Sequence, residues 1–161
     1  MGLMTSSTSK AQRVNLSDLA SLELPANAQK VAPENINALA KSKNINVQKS
    51  PETDHKTVYI YQDVVVTFRI SKSKEKVDLV DLKKKLVALA DGPSGMRFRS
   101  YAFNGNSFLV MENAHSGKLT VFGTNSKLDI SIRVLLEFNE KNLTVAYTVL
   151  DKVLNGISFK R

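Results

Sequence analysis

Hydrophobic and polar residues alternate most regularly near the end of the chain, in the stretch LDISIRVLLEF. Every second residue from Ile130 to Phe138 is apolar, whereas Ser131 and Arg133 fall between them. A period of two is typical of a strand whose side chains point alternately to opposite faces. The pattern therefore predicts a strand with one buried face and one largely polar face.

The period changes to that of a helix after Asn142. Apolar residues then recur at a spacing near 3.6, in a set that shares one helical face: Leu143, Ala146, Tyr147, Leu150 and Leu154. The segment also contains β-branched residues, but its length and the following Gly156 favour a helix that ends at this glycine. This helix is either core or a partner-binding element. Because its apolar face continues the buried pattern of the preceding strand, we expect core, with ISFKR as a last short strand.

The segment KEKVDLVDLKKKLVALADG predicts the clearest internal helix. Leu79, Leu82, Leu86 and Leu89 form its apolar stripe, and Gly92 stands where a helix-ending glycine belongs.

Turn signals separate the predicted strands. Asn104-Gly105 lies between MRFRSYAF and SFLVMEN and is a strong hairpin signal. Gln62-Asp63 predicts a tight turn within TVYIYQDVVVTFRIS. A short strand in LASLELPA and a short helix beginning at Pro33 precede them.

The predicted order is strand, helix, hairpin, helix, four-strand meander, helix and short end. Strands that are neighbours along the chain favour a mostly antiparallel sheet, so we expect an α+β fold in which three helices cover about six or seven strands. The polar, Ser/Thr-rich residues 1–15 predict a flexible tail or linker, and residues 16–161 a single domain.

Composition adds a charge constraint. The net charge is +8, which favours nucleic acid, anionic lipid or an acidic protein face as partner, although a basic surface without such a partner has the same composition. The chain has no cysteine and therefore no disulfide or cysteine metal site.

No apolar run approaches the ~20 residues that span a bilayer. The stretch MGLMTSSTSKAQ lacks the apolar region of a signal peptide, but such a tail is also what remains when a signal is removed.

Three segments resemble the PsbP-like superfamily, which includes the extrinsic photosystem protein PsbP, a Ran-binding nuclear-transport factor and the bacterial envelope protein DcrB. LASLELPANAQKVAPENI resembles the opening strand and helix of that family. FRSYAFNGNSFLVMENAHSGKLTVFGT resembles its central strands, and VLLEFNEKNLTVAYTVLDKVLNGISFK its final strand and closing helix. The resemblance covers residues 16–161 and implies an α/β/α sandwich with a scaffold or adaptor role. Because members of the family bind unrelated partners, it does not identify the partner.

The residues that could carry chemistry do not form a catalytic motif. His55 and His115 lie in predicted loops without a neighbour at metal-ligand spacing. Ser94, in GPSGM, does not have the Gly-x-Ser-x-Gly spacing of a nucleophile elbow, and no phosphate-binding glycine loop is present. We therefore expect no enzymatic activity, no metal and no cofactor.

Two groups of residues are candidates for binding a partner. Lys83, Lys84 and Lys85 belong to the densest positive cluster, which could dock an anionic surface with salt-sensitive affinity or form a solvated helix face. Arg97, Arg99 and Tyr101 should share one face of a strand. That face could grip phosphates and stack on bases, or be solvated or covered by a helix.

Two functions remain open. The first is a non-catalytic accessory or adaptor domain that binds a protein with an acidic surface. The family favours an exported, periplasmic location for it, with lipoprotein-like anchoring by a segment absent from this chain. The alternative is a cytoplasmic protein that binds nucleic acid or another anionic surface through a basic patch. A ligand-binding or hydrolytic domain is a third idea for which no constellation is found.

Overall fold

The computed structural model describes residues 11–47, 57–89 and 96–160. The strands are β1 (Gln12–Asn15), β2 (Ala20–Leu24), β3 (Gln29–Lys30), β4 (Thr57–Tyr61), β5 (Val64–Lys72), β6 (Met96–Phe103), β7 (Asn106–Asn113), β8 (Lys118–Thr124), β9 (Ile130–Glu137) and β10 (Ile157–Phe159). The helices are α1 (Ile36–Ser42), α2 (Leu79–Leu89) and α3 (Leu143–Gly156), and single 3₁₀ turns cover Pro33–Asn35, Ala114–Ser116 and Glu140–Asn142.

Seven strands form one sheet in the order β3-β4-β5-β9-β8-β7-β6, and each neighbouring pair is antiparallel. The predicted α+β fold with an antiparallel sheet is therefore confirmed. The strand with the most regular alternation is β9, at the centre of the sheet. There Val134 lies opposite Val121 on one side and opposite Phe68 on the other.

Both predicted tight turns form. Asn104 and Gly105 have φ values of 53° and 80°, and Gln62 and Asp63 have values of 48° and 61°. Positive φ at both central positions matches the right-handed twist of the strands that such a turn connects. The turns therefore fix the register of β4 with β5 and of β6 with β7.

One face of the seven-stranded sheet is covered by α3. Ala146, Leu150 and Leu154 of its predicted apolar face are buried, together with Val149 and Val153. Leu143 and Tyr147 of that face are half-buried. The buried residues belong to one core cluster with residues of the central strands, including Phe68 and Phe108. The closing helix is therefore core.

Gly156 ends α3 as predicted, but it does not have the positive φ of a helix-ending residue. Its role is a close approach, because a Cβ at this position would overlap the backbone oxygen of Glu23 in β2. The chain continues directly into β10, which pairs with β2.

A second, three-stranded sheet has the order β1-β2-β10. Residues 1–15 were predicted to be a tail, yet Gln12–Asn15 form β1, so this prediction was wrong for these four residues. Their sequence, QRVN, has little strand pattern of its own. Pairing with β2 supplies the order, with Arg13 opposite Glu23 and Val14 opposite Leu22.

The other face of the large sheet carries α1 and α2. The predicted short helix is α1, and it begins after the 3₁₀ turn that contains Pro33. Its Ala40 packs in a small cluster with Val31, Val58 and Val65. In contrast, α2 buries none of its residues, so this face of the sheet is covered less completely than the α3 face.

Leu150 is fully buried in α3, and Leu150→Ala should lower the free energy of unfolding by about 2–5 kcal/mol, because it leaves a cavity in a packed layer. Denaturant titration followed by circular dichroism measures the change. Leu89→Ala is the matched control: Leu89 is 83% exposed, and its truncation should change the free energy by less than about 0.5 kcal/mol. Equal effects of the two variants would mean that α3 is not packed.

Candidate functional site

The helix α2 packs on β7, and none of its residues is buried by the described parts of the chain. Its start is fixed by Asp78, whose Oδ1 accepts a hydrogen bond from the backbone N–H of Asp81 at 3.0 Å. The predicted apolar stripe is only partly used: Leu82 and Leu86 are half-buried, whereas Leu89 is exposed. Sequence periodicity thus identifies the apolar side of α2 but overestimates its burial.

The exposed large hydrophobic side chains of the described residues all lie on α2. Val80 is 68% exposed, Val87 is 49% exposed and Leu89 is 83% exposed. Single exposed apolar residues are common on protein surfaces. Val80 and Val87 lie on the same side of α2 because they are two turns apart, whereas Leu89 lies on the opposite side. The two exposed valines indicate a surface that another molecule could cover.

An apolar cleft of about 910 Å³ lies between α2 and one end of strands β6, β7 and β8. Val77, Leu79 and Val80 line the cleft on the side of the helix, and Ala102 and Ser107 line it on the side of the sheet. Clefts that bind small ligands commonly measure about 300–1,000 Å³. The cleft is therefore large enough to receive side chains of a bound molecule.

Two backbone hydrogen bonds hold the segment that leads into α2. The N–H of Val77 donates a hydrogen bond to the carbonyl oxygen of Leu128 at 2.8 Å. The N–H of Ser73 donates a hydrogen bond to the carbonyl oxygen of Asp129 at 2.7 Å. The turn that provides these carbonyls is itself ordered, because Asn125 Oδ1 accepts a hydrogen bond from the N–H of Asp129 at 3.1 Å. The beginning of α2 is thus attached to the turn between β8 and β9.

The three predicted lysines of α2 do not lie on one side of the helix. Lys83, Lys84 and Lys85 are all exposed, but successive helical residues are about 100° apart around the axis. Lys85 Nζ lies 2.9 Å from Asp81 Oδ2, and this hydrogen bond raises the pKa of Lys85. Lys83 lines the cleft, so it is the lysine closest to the apolar surface described above.

Arg97, Arg99 and Tyr101 share one face of β6, and this face points to α3 rather than α2. The Arg99 guanidinium carbon lies 5.2 Å from the centre of the Tyr147 ring, a cation–π contact. The Tyr101 ring stacks on Phe103 at a centroid distance of 6.1 Å. The lysines of α2 and the arginines of β6 therefore lie on opposite faces of the sheet. Tyr101 also lines the cleft that Lys83 borders.

A buried carboxylate near Arg99 was not predicted from the sequence. Glu112 on β7 is buried, and the Tyr147 hydroxyl donates a hydrogen bond to its Oε1. Burial, together with this hydrogen bond to Glu112, raises the pKa of Tyr147. Because Glu112 stands within the largely apolar strand SFLVMEN, the sequence indicates that its side chain has a polar partner. Its partner lies 35 residues later, and no local pattern identifies it.

The residues considered for catalysis are not brought together. His115 is exposed on the turn Ala114–Ser116 and contributes to a polar cavity of about 730 Å³ that includes Lys41 and Asn139. His55, Gly92 and Ser94 lie outside the described residues. Within the described ranges, no group of three or more His, Cys, Asp or Glu side chains could hold a metal ion.

The helices of the described ranges include none with both the length and the apolar character needed to cross a membrane.

Comparison with solved structures identifies the fold as PsbP-like. The chain is similar to the solution structure of cyanobacterial PsbP (CyanoP) from Synechocystis sp. PCC 6803, with a TM-score of 0.53 and 14% sequence identity. The similarity covers 99% of this chain and 98% of the other. The resemblance inferred from the sequence is therefore confirmed at the level of fold. No protein-family model and no curated protein matches the sequence.

Tyr147→Phe should lower the free energy of unfolding at neutral pH, because the buried Glu112 loses a hydrogen-bond donor. The loss should depend on pH. The pKa of Tyr147 is raised above its ordinary value of 10.0 in the folded protein. The stabilisation is therefore complete below that value, and it is lost as the pH rises from there towards the pKa of the folded state.

Urea titrations near pH 8 and near pH 11 measure this dependence. The difference in stability between the wild type and Tyr147→Phe should be smaller at the higher pH. A difference that does not change with pH would contradict the role assigned to the hydroxyl.

Proposed function

We propose that this chain is a non-catalytic adaptor domain that binds a protein partner with an acidic surface through α2 and the adjoining cleft. The observation that supports this most directly is the uncovered apolar side of α2, where Val80 and Val87 are 68% and 49% exposed. A surface helix ordinarily turns its apolar residues to the core. Here Val80 instead lines a cleft of about 910 Å³, which suits insertion of apolar side chains from a partner.

The charges around the cleft favour an acidic partner. Lys76 and Lys83 line it, with Asp78 as the acidic lining residue among those described, and Lys84 is exposed next to Lys83. The net charge of the whole chain is +8. Complementary charge at the rim of an interface increases the association rate and selects the partner. The expected partner therefore offers apolar side chains surrounded by Asp and Glu.

Binding of nucleic acid or another anionic surface is the alternative, and it would use the same lysines together with Arg97. The contacts of Arg99 with Tyr147 and of Tyr101 with Phe103 favour the protein partner, because bases stack on free aromatic and guanidinium faces. An apolar cleft also has no complement in a phosphate backbone.

We further propose that the protein is exported and associated with the cell envelope, where a segment outside this chain anchors it. The PsbP-like fold is compatible with an exported protein. Fractionation of the source cells tests this location, and recovery of the protein in the cytoplasm would favour the alternative.

Lys83→Glu combined with Lys84→Glu should weaken binding to the partner by at least about tenfold, or about 1.4 kcal/mol, because it reverses the charge beside the cleft. Lys85 is left unchanged since it pairs with Asp81. The partner is isolated by affinity purification from the native source and is then titrated in pure form by calorimetry. The thermal midpoint of the variant should stay close to that of the wild type, because both positions are exposed.

Two further variants complete this test. Lys41→Glu combined with Lys141→Glu makes the same change of charge at exposed positions of other elements and should leave the affinity nearly unchanged. Val80→Ser should weaken binding without loss of stability. If neither the Lys83 and Lys84 reversal nor Val80→Ser weakens binding, the proposed surface is wrong. Equally tight binding of generic duplex DNA would favour the alternative function.

A further inference from the structure

We infer that the partner of the proposed function binds by adding a strand to the open edge of β6. This inference rests on that function and specifies the conformation of the bound segment. β6 is eight residues long and stands last in the order of the large sheet. Within the described ranges it pairs only with β7. Such an edge offers a row of backbone donors and acceptors to an extended peptide.

The register of the hairpin identifies the backbone groups at this edge. Asn104 and Gly105 are the two turn residues, and Phe103 lies opposite Asn106. In a two-residue hairpin this flanking pair is hydrogen-bonded, and bonded pairs alternate along the ladder. The odd-numbered residues of β6 therefore bond to β7. The even-numbered residues direct their N–H and C=O groups to the open edge: Phe98, Ser100 and Ala102.

The same even-numbered residues face α2. Ser100 and Ala102 line the cleft, and both have small, exposed side chains. A residue of an added strand that lies opposite one of them places its own side chain on the same face of the sheet. That side chain would enter the cleft beside Val80, so an apolar residue fits these positions.

The odd-numbered residues present charge on the other face. Arg97 and Arg99 are exposed there. Partner residues opposite them would point to the same side, where Asp or Glu forms a favourable cross-strand pair. The bound segment should therefore alternate acidic and apolar residues along its length.

These arginines also disfavour one register in which β6 could pair with a second copy of this chain. Antiparallel pairing of two β6 strands about Phe98 would place Arg97 of one copy opposite Arg99 of the other. Like charges directly opposite each other are destabilising, and charged edge positions are a common protection against self-pairing. An acidic partner converts the same positions into attractive contacts.

The test uses the whole chain and the synthetic peptide acetyl-EVEVEFE-amide. Hydrogen exchange followed by NMR should show slowing by about tenfold or more at the amides of Phe98, Ser100 and Ala102 when the peptide is bound. The amides of Arg99 and Tyr101, which already bond to β7, should change much less. The peptide acetyl-EEVFEEV-amide has the same composition without alternation, and it should bind at least about fivefold more weakly.

Ser100→Pro removes one outward N–H, and proline is tolerated at edge positions whose N–H faces away from the sheet. It should weaken peptide binding by about tenfold or more, whereas Ser100→Ala keeps the N–H and should bind as the wild type does. Should Ser100→Pro fail to fold, the alternating exchange pattern of the wild type decides the question. Uniform or absent protection along β6 would overturn the inference.

The outcomes separate this inference from the function on which it rests. If the native partner is lost on reversal of Lys83 and Lys84 but binds Ser100→Pro as tightly as the wild type, strand addition is wrong and the adaptor surface stands. If the chain alone forms a dimer that Ser100→Pro dissociates, a second copy occupies the edge, and the inference is likewise wrong. Loss of the partner with both variants, together with alternating protection, supports it.

Discussion

The packing of α3 on the central sheet is the interaction on which the rest of the structure depends. The buried face of the helix joins the middle strands and β2 in one cluster. Because Gly156 leads directly into β10, the docked helix also positions the small sheet. The hydrogen bond from Tyr147 to Glu112 extends the same contact to the β6–β7 hairpin. The middle of this face of the sheet is thereby closed, and the proposed partner-binding surface lies on the opposite face and around the edge strand β6.

Elements with strong local signals could be predicted from the sequence. The alternation in β9 and the helical period of α3 each bury one face of an element, and Asn104-Gly105 suits a turn with two positive φ values. β1 could not be predicted, because QRVN gains its order from pairing with β2 rather than from its own composition. The exposure of Leu89 could not be predicted either, since periodicity identifies an apolar side but not the area available to cover it.

The candidate site shows the same division between local and long-range information. The sequence identifies Lys83 and Arg97 as members of basic groups, and their charge is independent of the fold. Only the tertiary structure places these groups on opposite faces of β6, with an apolar cleft on the side of the lysines. A protein that binds at β6 would contact both faces of the strand and its edge. Contacts with all three surfaces are more selective than contacts with a basic patch alone.

The different burial of α2 and α3 has a consequence for the divergence of this fold. A substitution in α3 alters a packed layer, and its cost falls on folding. A substitution at an exposed position of α2, such as Val80 or Leu89, costs little stability and changes mainly the chemistry of the molecular surface. The fold is shared with cyanobacterial PsbP at 14% identity. Selection for folding can therefore preserve the sandwich while leaving the sequence of α2 free to change.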